Sequence, residues 1–155
     1  MSLDSVRAFL ALQAPDIEIL IHHGETATVA QAAAAHDVPH AAIAKTLSLK
    51  VGGQPFLLVT GGTARLDNRK AKDAFGGKVS MLGADEVLRL TSHPVGGVFP
   101  FGLAEPLTVY CDISLKAFDE VVPAAGSANS AMRIATERLA SLSNATWVDV
   151  CFLPD

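Results

Sequence analysis

The sequence predicts an α+β fold: a mixed, largely antiparallel, barrel-like sheet with helices packed around it. Half of the 155 residues are apolar and 18% are charged, a composition that can bury a sizeable core and differs from that of disordered chains. Strand patterns of period two and helix patterns of period 3.6 follow one another without strict βαβ alternation. Glycine and proline are spread along the chain, with no repeat or long linker, so we expect one domain over residues 1–155.

The first predicted elements are a helix, a strand and a second helix. Asp4 is a candidate N-cap for a helix with apolar residues at helical spacing. Isoleucines alternate over residues 17–21, which is the pattern of a strand. Thr28 and Gln31 have the spacing of a capping box before the alanine run 32–35. This run predicts a helix of small residues that can pack closely on a sheet.

The clearest predicted unit is a β-hairpin over residues 45–60. Apolar and polar residues alternate in its first strand, and Gly52-Gly53 supplies the turn before a second apolar run. A short helix follows, with Asp67 as its N-cap and Gly76-Gly77 as its end. Beyond it, the pattern predicts strands at 78–82, 107–113, near Val121, at 132–135 and at 146–152, and helices opened by Asp85-Glu86 and capped by Thr136.

The overall charge is −4, which excludes a strongly basic protein that coats nucleic acid. Residues 65–78 nevertheless hold five basic and two acidic side chains. A basic face on an acidic body fits a partner that carries phosphate and binds on one side. The alternative is an ordinary solvated helix face of mixed charge.

Composition also bears on the location of the protein. No run approaches the roughly 18 apolar residues of a membrane-spanning helix, and the N-terminus lacks the pattern of a secretory leader. We therefore expect a soluble, cytoplasmic protein. Cys111 and Cys151 are far apart in sequence, which excludes a CxxC redox pair, and we expect both to be reduced thiols in the core.

Lys45 is the most informative single residue. Strand alternation places it at the start of a strand on the same side as Leu47, which is apolar. An ammonium there must be paired or must serve a charged ligand. The alternative is that the strand starts one residue later and Lys45 extends to water.

Two loops and one aspartate are further candidates. Residues 92–102 combine prolines, paired glycines and phenylalanines, and glycine lets backbone N–H groups approach a ligand closely. The turn at Gly126-Ser127 offers small residues and hydroxyl donors, and Asp112 ends an apolar strand. Each of these patterns is also common in purely structural loops and strand ends.

Several familiar catalytic patterns are absent from the sequence. Lys45-Thr46 lacks the upstream glycines of a Walker loop, and Gly126-Ser127 does not fit the GxSxG nucleophile elbow. His22 and His23 are adjacent in a predicted strand and point to opposite faces, and the other histidines lack HExxH-like spacing. We therefore expect neither a bound metal nor another cofactor.

Four segments in sequence order resemble the YbaK/EbsC family of prolyl-tRNA editing domains. They are IAKTLSL at 43–49, GGTARLDNRKAKDAFG at 61–76, HPVGGVFPFG at 93–102, and VYCDISL at 109–115 followed by AAGSANSAMRI at 124–134. The resemblance extends from about residue 28 to about residue 150. It implies a small domain that hydrolyses the ester between a wrong amino acid and the 3′ end of a tRNA, most often the tRNA for proline. Editing of this kind is needed because a binding pocket discriminates weakly against a smaller amino acid.

The resemblance also implies roles for particular residues, and it implies that no metal is needed. Lys45 matches the family's functional lysine, and the family's glycine-rich loop falls on Gly96, Gly97, Pro100 and Gly102. We expect Lys45, Gly96 and Gly97 to be catalytic, positioning the ester and stabilising the oxyanion while water attacks. The expected substrate-binding residues are Thr46, His93, Pro100, Phe101, Gly102, Asp112, Gly126 and Ser127, and the expected tRNA-binding residues are Arg65, Arg69, Lys70 and Lys72.

Two alternatives stay open at the level of sequence. One is a binding module that associates with tRNA or with a synthetase, such as prolyl-tRNA synthetase, without hydrolysis. The other is a hydrolase of a different small aminoacyl or nucleotide ester, whose basic helix binds only a short phosphate. The sequence does not identify the amino acid that is removed.

Overall fold

The computed structural model describes residues 2–22, 28–91, 93, 98, 100, 103, 107–127 and 129–154, with backbone alone at residue 2. The α-helices are α1 (Ser2–Gln13), α2 (Val29–His36), α3 (Asn68–Phe75), α4 (Ala84–Thr91) and α5 (Thr136–Leu142). The strands are β1 (Leu20–Ile21), β2 (Ile43–Val51), β3 (Gln54–Gly61), β4 (Arg65–Leu66), β5 (Val79–Met81), β6 (Thr108–Asp112), β7 (Glu120–Pro123), β8 (Ser130–Ala131), β9 (Ile134–Ala135), β10 (Thr146–Val148) and β11 (Cys151–Phe152). Two 3-10 helices span His40–Ala42 and Ile113–Ala117.

The predicted α+β architecture is confirmed. The main sheet has the strand order β10-β6-β3-β2-β7-β9, and β5 also pairs with β2. Strand β2 is antiparallel to β3 and β5 and parallel to β7, and β3 is parallel to β6. On one edge of β2, β7 pairs with its first residues and β5 with its last. The sheet is therefore mixed and curled, with two short pairs, β1-β8 and β4-β11, attached to it.

The main sheet is covered on both faces, which explains the continuous apolar run in β3. Leu57 and Val59 pack in one core cluster with residues of α1 and α5, whereas Phe56 and Leu58 pack in a second cluster with residues of α3. In the second cluster the rings of Phe56, Phe75 and Tyr110 lie 4.7 to 5.5 Å apart, centroid to centroid. Successive side chains of β3 therefore pack alternately into two different core clusters.

The turn and capping patterns of the sequence are confirmed in detail. The Thr28 hydroxyl accepts the Gln31 N–H at 3.1 Å, and the Gln31 side chain accepts the Thr28 N–H at 3.2 Å. The Asp67 carboxylate accepts two N–H groups at the start of α3, and the helix ends at Gly76, which has a φ of 79°. The hairpin turn has positive φ at both Gly52 and Gly53, as the two-residue connection between twisted strands requires.

Two predicted caps are wrong. Helix α1 begins at Ser2, so Asp4 lies in its first turn, where its negative charge favours the helix dipole. Helix α5 begins at Thr136, its N-cap is Ala135, and the Thr136 hydroxyl donates to the Phe118 carbonyl at 2.6 Å instead. The predicted strand over residues 17–21 is shorter than expected, because only its last two residues pair with β8.

Two strands predicted near the C-terminus also differ from the structure, because one is shorter than predicted and the other is divided. The segment 132–135 contributes only its last two residues to β9, and β8 ends before it. The segment 146–152 forms β10, which pairs with β6, and then β11, which pairs with β4. Between them the Val150 N–H donates to a carboxylate oxygen of Asp112 at 2.9 Å, so a side chain takes the place of a strand partner.

Both cysteines are buried free thiols, as predicted. Burial raises the pKa of the Cys111 thiol and of the Cys151 thiol to about 12. A thiol in such surroundings is packing rather than a nucleophile. Among the helices that the structure describes, none has the length and apolar content needed to cross a membrane.

Candidate active site

A cavity of about 160 Å³ lies where α2 packs against the main sheet. Its apolar lining residues include Val29, Ala32, Val122 and Ala131. Its polar lining residues include Lys45 and Thr46. The alanines of α2 let this helix approach β2 and β7 closely, as the alanine run predicts. The result is a small, mostly aliphatic pocket with an ammonium-bearing residue in its wall.

Lys45 is the third residue of β2, because Ile43 and Ala44 already pair with β7. The alternative that the strand begins after Lys45 is therefore wrong. Its half-buried Nζ donates to the carbonyl oxygens of Gly62 at 3.4 Å and Ala64 at 2.6 Å. Burial lowers the pKa of Lys45, and the nearby charge of Arg65 lowers it further, while Cys151 opposes this.

The charge of Lys45 lacks a carboxylate partner within the part of the chain that the structure describes. An ammonium has three donor positions, and the two carbonyls occupy two of them. A half-buried cation that is held by neutral carbonyls still attracts negative charge strongly, because the local dielectric is low. This arrangement suits an oxyanion that forms nearby.

Thr46 follows directly and also lines the cavity. Its hydroxyl oxygen is buried and lacks a hydrogen-bond partner among the described residues. Buried hydroxyls in folded proteins nearly always have a partner, so this hydroxyl is available to a polar group of a bound molecule.

The glycine-rich loop is described only in part. Val98, one of its described residues, lines the cavity. His93 and Pro100 are buried, and the Thr91 hydroxyl accepts the His93 N–H at 3.0 Å where the loop leaves α4. The predicted site residues Gly96, Gly97, Phe101 and Gly102 lie outside the described residues.

Asp112 lies elsewhere, at the end of β6, and does not line the cavity of Lys45. The side chain is fully buried, and each of its two oxygens accepts one backbone N–H at 2.9 Å, from Ser114 and from Val150. Its geometry is that of a backbone clamp. The substrate-binding role expected for Asp112 from the sequence stays a prediction, and in the structure its carboxylate holds these two backbone N–H groups.

The Gly126-Ser127 turn lies next to the cavity, but the Ser127 hydroxyl forms its hydrogen bonds within the turn. Ser127 Oγ donates to Asn129 Oδ1 at 3.0 Å and lies 2.6 Å from Ser130 Oγ. The cavity lining includes Ala124, just before the turn, and Ala131, just after it, but neither Gly126 nor Ser127. The structure thus brings the turn next to the pocket without placing its hydroxyl in it.

The basic segment continues from the turn that holds Lys45. Arg65 follows Ala64, whose carbonyl accepts from Lys45, and Arg69 and Lys72 are exposed on α3. Lys70 is already engaged, since it pairs with Asp149 at 3.1 Å and donates to the Cys151 carbonyl, and its pKa is raised mainly by the Asp149 bond. Three of the four predicted basic residues therefore present their charge to solvent.

A histidine pair was missed at the level of sequence. The Nε2 atoms of His22 and His36 lie 3.0 Å apart, and Arg133 donates to the His36 carbonyl. Burial lowers the pKa of His36, and the neighbouring charges of His22 and Arg133 lower it further. The i, i+4 spacing of Ala32 and His36 puts both on the buried face of α2, which is the one signal that the sequence offers.

This pair makes stability depend on pH. His36 takes up a proton more readily in the unfolded chain than in the folded one. Its unprotonated form therefore contributes fully to the free energy of unfolding above about pH 6.5, and the free energy of unfolding falls as the pH drops below that value. We expect the Tm, followed by circular dichroism between pH 7.5 and 5.5, to fall less in His36→Gln than in the wild type. His40→Gln, at an exposed histidine, is the control. Equal slopes in all three proteins would contradict the assignment.

Comparison with known proteins identifies similar chains. The family model described as "Aminoacyl-tRNA editing domain" matches residues 23–142. Uncharacterized protein YwhH of Bacillus subtilis (strain 168) is 43% identical over 153 residues, which cover 97% of this chain and 98% of that one. Proline--tRNA ligase of Citrifermentans bemidjiense is 30% identical over 97 residues, which are 62% of this chain but 17% of the ligase. A crystal structure described as "a putative trans-editing enzyme for prolyl tRNA synthetase" superposes with a TM-score of 0.89 at 29% identity, over 96% of both chains.

Proposed function

The chain belongs to the aminoacyl-tRNA editing domain family and is an aminoacyl-tRNA deacylase, and from that premise we propose that it removes a small non-cognate amino acid from the tRNA for proline in trans. The preference for this tRNA is supported by the similar segment within proline--tRNA ligases and by the structural neighbour described as acting with prolyl-tRNA synthetase. Activity in trans is supported by the same structural neighbour, which is described as a trans-editing enzyme and which this chain matches over 96% of both chains.

The single observation that carries the proposal is that Lys45 lines a small cavity and carries an ammonium without a counter-ion among the described residues. It is half-buried, it is fixed by the carbonyls of Gly62 and Ala64, and it is not neutralised by a carboxylate of the described residues. Hydrolysis of an aminoacyl ester begins with attack of water on the carbonyl carbon, and negative charge then develops on the carbonyl oxygen. A preorganised cation stabilises that charge more than it stabilises the neutral ester.

The other groups of the site would orient the ester. The Thr46 hydroxyl is the available polar group beside Lys45, and it suits the amino group or the ribose hydroxyl of the substrate. The backbone N–H groups of Gly96 and Gly97 are proposed on their sequence pattern as additional donors to the oxyanion. Collapse of the tetrahedral intermediate then releases the 3′ hydroxyl of the tRNA and the free amino acid.

The size of the cavity supports a small amino acid. Its volume is about 160 Å³, and Val29, Ala32, Val122 and Ala131 form its aliphatic wall. A cavity of about this volume holds a molecule of the size of benzene, so a small amino acid fits together with part of the ester that joins it to the ribose. This is the class of amino acid that a proline pocket excludes poorly.

The test is a deacylation assay with the tRNA for proline charged in turn with alanine, cysteine and serine, and with proline as the correct ester. We expect rapid cleavage of at least one small mischarged ester and little cleavage of the proline ester. A protein that binds the charged tRNA and cleaves none of these esters would contradict the proposal and favour a binding module. Co-purification with prolyl-tRNA synthetase would then decide whether the two proteins associate.

The exposed basic residues Arg69 and Lys72 are proposed to meet phosphates of the acceptor stem. We expect the double variant Arg69→Glu/Lys72→Glu to raise KM for the full charged tRNA about tenfold at low salt and to weaken the salt dependence of kcat/KM. KM for a minimal aminoacyl-adenosine ester should stay the same, because that substrate has no stem.

Arg7→Glu on α1 is the matched control, since it makes the same kind of charge change outside the basic segment. Arg7→Glu reverses one charge where the double variant reverses two, so the same effect per reversed charge would show that only net charge matters. An equal loss on the minimal ester would show that the two residues act within the pocket, as a hydrolase of a small nucleotide ester would require.

A further inference from the structure

The position of the Lys45 ammonium depends on one turn of the backbone. Both of its acceptors, the carbonyls of Gly62 and Ala64, belong to the segment that follows β3. This turn is closed by the Ala64 N–H, which donates to the Gly61 carbonyl at 3.1 Å. It is also pressed against the 3-10 helix 40–42, because a Cβ atom at Gly62 would lie 2.1 Å from the His40 carbonyl oxygen. A shift of the turn therefore moves the ammonium.

Ser114 also holds this turn, through a hydrogen bond from the Gly61 N–H. The parallel ladder of β3 and β6 ends at the pair Val59 and Cys111, because β6 gives way to the 3-10 helix 113–117. The next outward N–H on that edge of β3, at Gly61, donates to Ser114 Oγ at 3.0 Å. A side-chain hydroxyl thus replaces the missing strand carbonyl directly before the two residues that hold Lys45.

The place of Ser114 is in turn fixed by Asp112. The Asp112 carboxylate accepts the Ser114 N–H at 2.9 Å and caps the 3-10 helix, while its other oxygen holds Val150. A continuous set of hydrogen bonds therefore runs from the buried carboxylate through Ser114 and the 61–64 turn to the ammonium. Within this set the Ser114 hydroxyl is a side-chain link between two backbone segments, and one conservative substitution removes it.

We propose that Ser114 is a positioning residue, which sets the location of the Lys45 ammonium through the Gly61 amide and the carbonyls of the 61–64 turn. Ser114 is not among the described residues that line the cavity of Lys45. Its effect on turnover rests on the proposed function, since it requires that Lys45 act on the ester. Its effect on the ammonium itself is independent of any substrate.

The first measurement is the reactivity of Lys45. Wild type and Ser114→Ala are treated with a small amine-reactive acetyl ester, and the acetylation of Lys45 relative to Lys50, a partly exposed lysine of the same strand, is measured by mass spectrometry. Release of the ammonium from its carbonyl acceptors makes it more accessible to the reagent. We expect this gain in access to outweigh the rise in the Lys45 pKa on leaving buried surroundings, so that the ratio rises about threefold or more in Ser114→Ala. Ser114→Thr, which keeps the hydroxyl, should restore the wild-type ratio.

The second measurement is turnover of the mischarged ester that the wild type cleaves. We expect Ser114→Ala to lower kcat about tenfold with KM within about twofold, because a displaced ammonium loses contact mainly with the transition state. Ser143→Ala is the matched control, since it also removes a hydroxyl that binds backbone, at the end of α5. If Ser114→Ala does not fold, Ser114→Cys provides a side chain of similar size with a weak acceptor.

The outcomes separate the two proposals. An unchanged acetylation ratio and unchanged kcat in a folded Ser114→Ala protein would overturn the positioning role. A changed ratio in a protein that cleaves none of the esters, wild type included, would uphold the positioning role and overturn the proposed substrate. A loss of kcat in Ser143→Ala equal to that in Ser114→Ala would show a general effect of stability and overturn the inference.

Discussion

Lys45→Ala is expected to fold like the wild type and to lose about a hundredfold or more in kcat/KM for the mischarged ester. The substitution removes the ammonium that is held by Gly62 and Ala64 and leaves no buried anion behind, because no carboxylate of the described residues pairs with it. The loss should fall mainly on kcat, because the oxyanion exists only after water has attacked. Single-turnover deacylation at saturating enzyme measures this directly.

Lys50→Ala is the control for this prediction. Lys50 lies on the same strand and carries the same charge, but it is paired at the surface with Glu86 at 3.8 Å. It should retain wild-type kcat/KM. A folded Lys45→Ala protein with normal turnover would remove Lys45 from the chemistry, and with it the main support for the site.

Asp112→Ala is expected to lower the free energy of unfolding by about 3 kcal/mol, since it leaves the buried N–H group of Val150 and the partly buried N–H group of Ser114 without their acceptors. Both donors lie at places where strands end or divide, so no backbone carbonyl of a neighbouring strand stands ready to replace the carboxylate. Urea unfolding followed by tryptophan fluorescence suits the test, because Trp147 pairs with Cys111 beside Asp112.

Asp149→Ala gives the comparison for Asp112. Asp149 is close in the chain but exposed, and its ion pair with Lys70 should be worth less than about 1 kcal/mol. A small stability loss in Asp112→Ala together with a large rise in KM would show instead that the carboxylate binds the substrate. That result would favour the role expected from the sequence over the one that the geometry indicates.

Helix caps and turns that depend on neighbouring residues could be predicted from the sequence. The Thr28-Gln31 capping box, the Asp67 cap and the Gly52-Gly53 turn each depend on residues within four positions, and all three form as expected. The placement of Lys45 on the apolar side of its strand followed from alternation alone. Such features need no knowledge of the tertiary fold.

Features that depend on distant segments could not be predicted. The division of residues 146–152 into two strands follows from the reach of Asp112 to the Val150 N–H, across 38 positions of sequence. The role of Ser114 depends on where β6 stops relative to β3, and the His22-His36 contact depends on how α2 docks. A hydrophobic pattern records which residues are buried, but not which backbone group a buried polar side chain will meet.

The pairing of β4 with β11 has a consequence for the order in which the molecule assembles. It joins Leu66 to Cys151, about 85 residues further along, whereas β2 and β3 are joined by a two-residue turn. Contacts between distant residues require large loops to close, so the hairpin is favoured early in folding and the β4-β11 pair late. The segment that carries the acceptors of Lys45 leads directly into β4. A refolding chain should therefore form most of its sheet before the Lys45 ammonium is held by the carbonyls of Gly62 and Ala64.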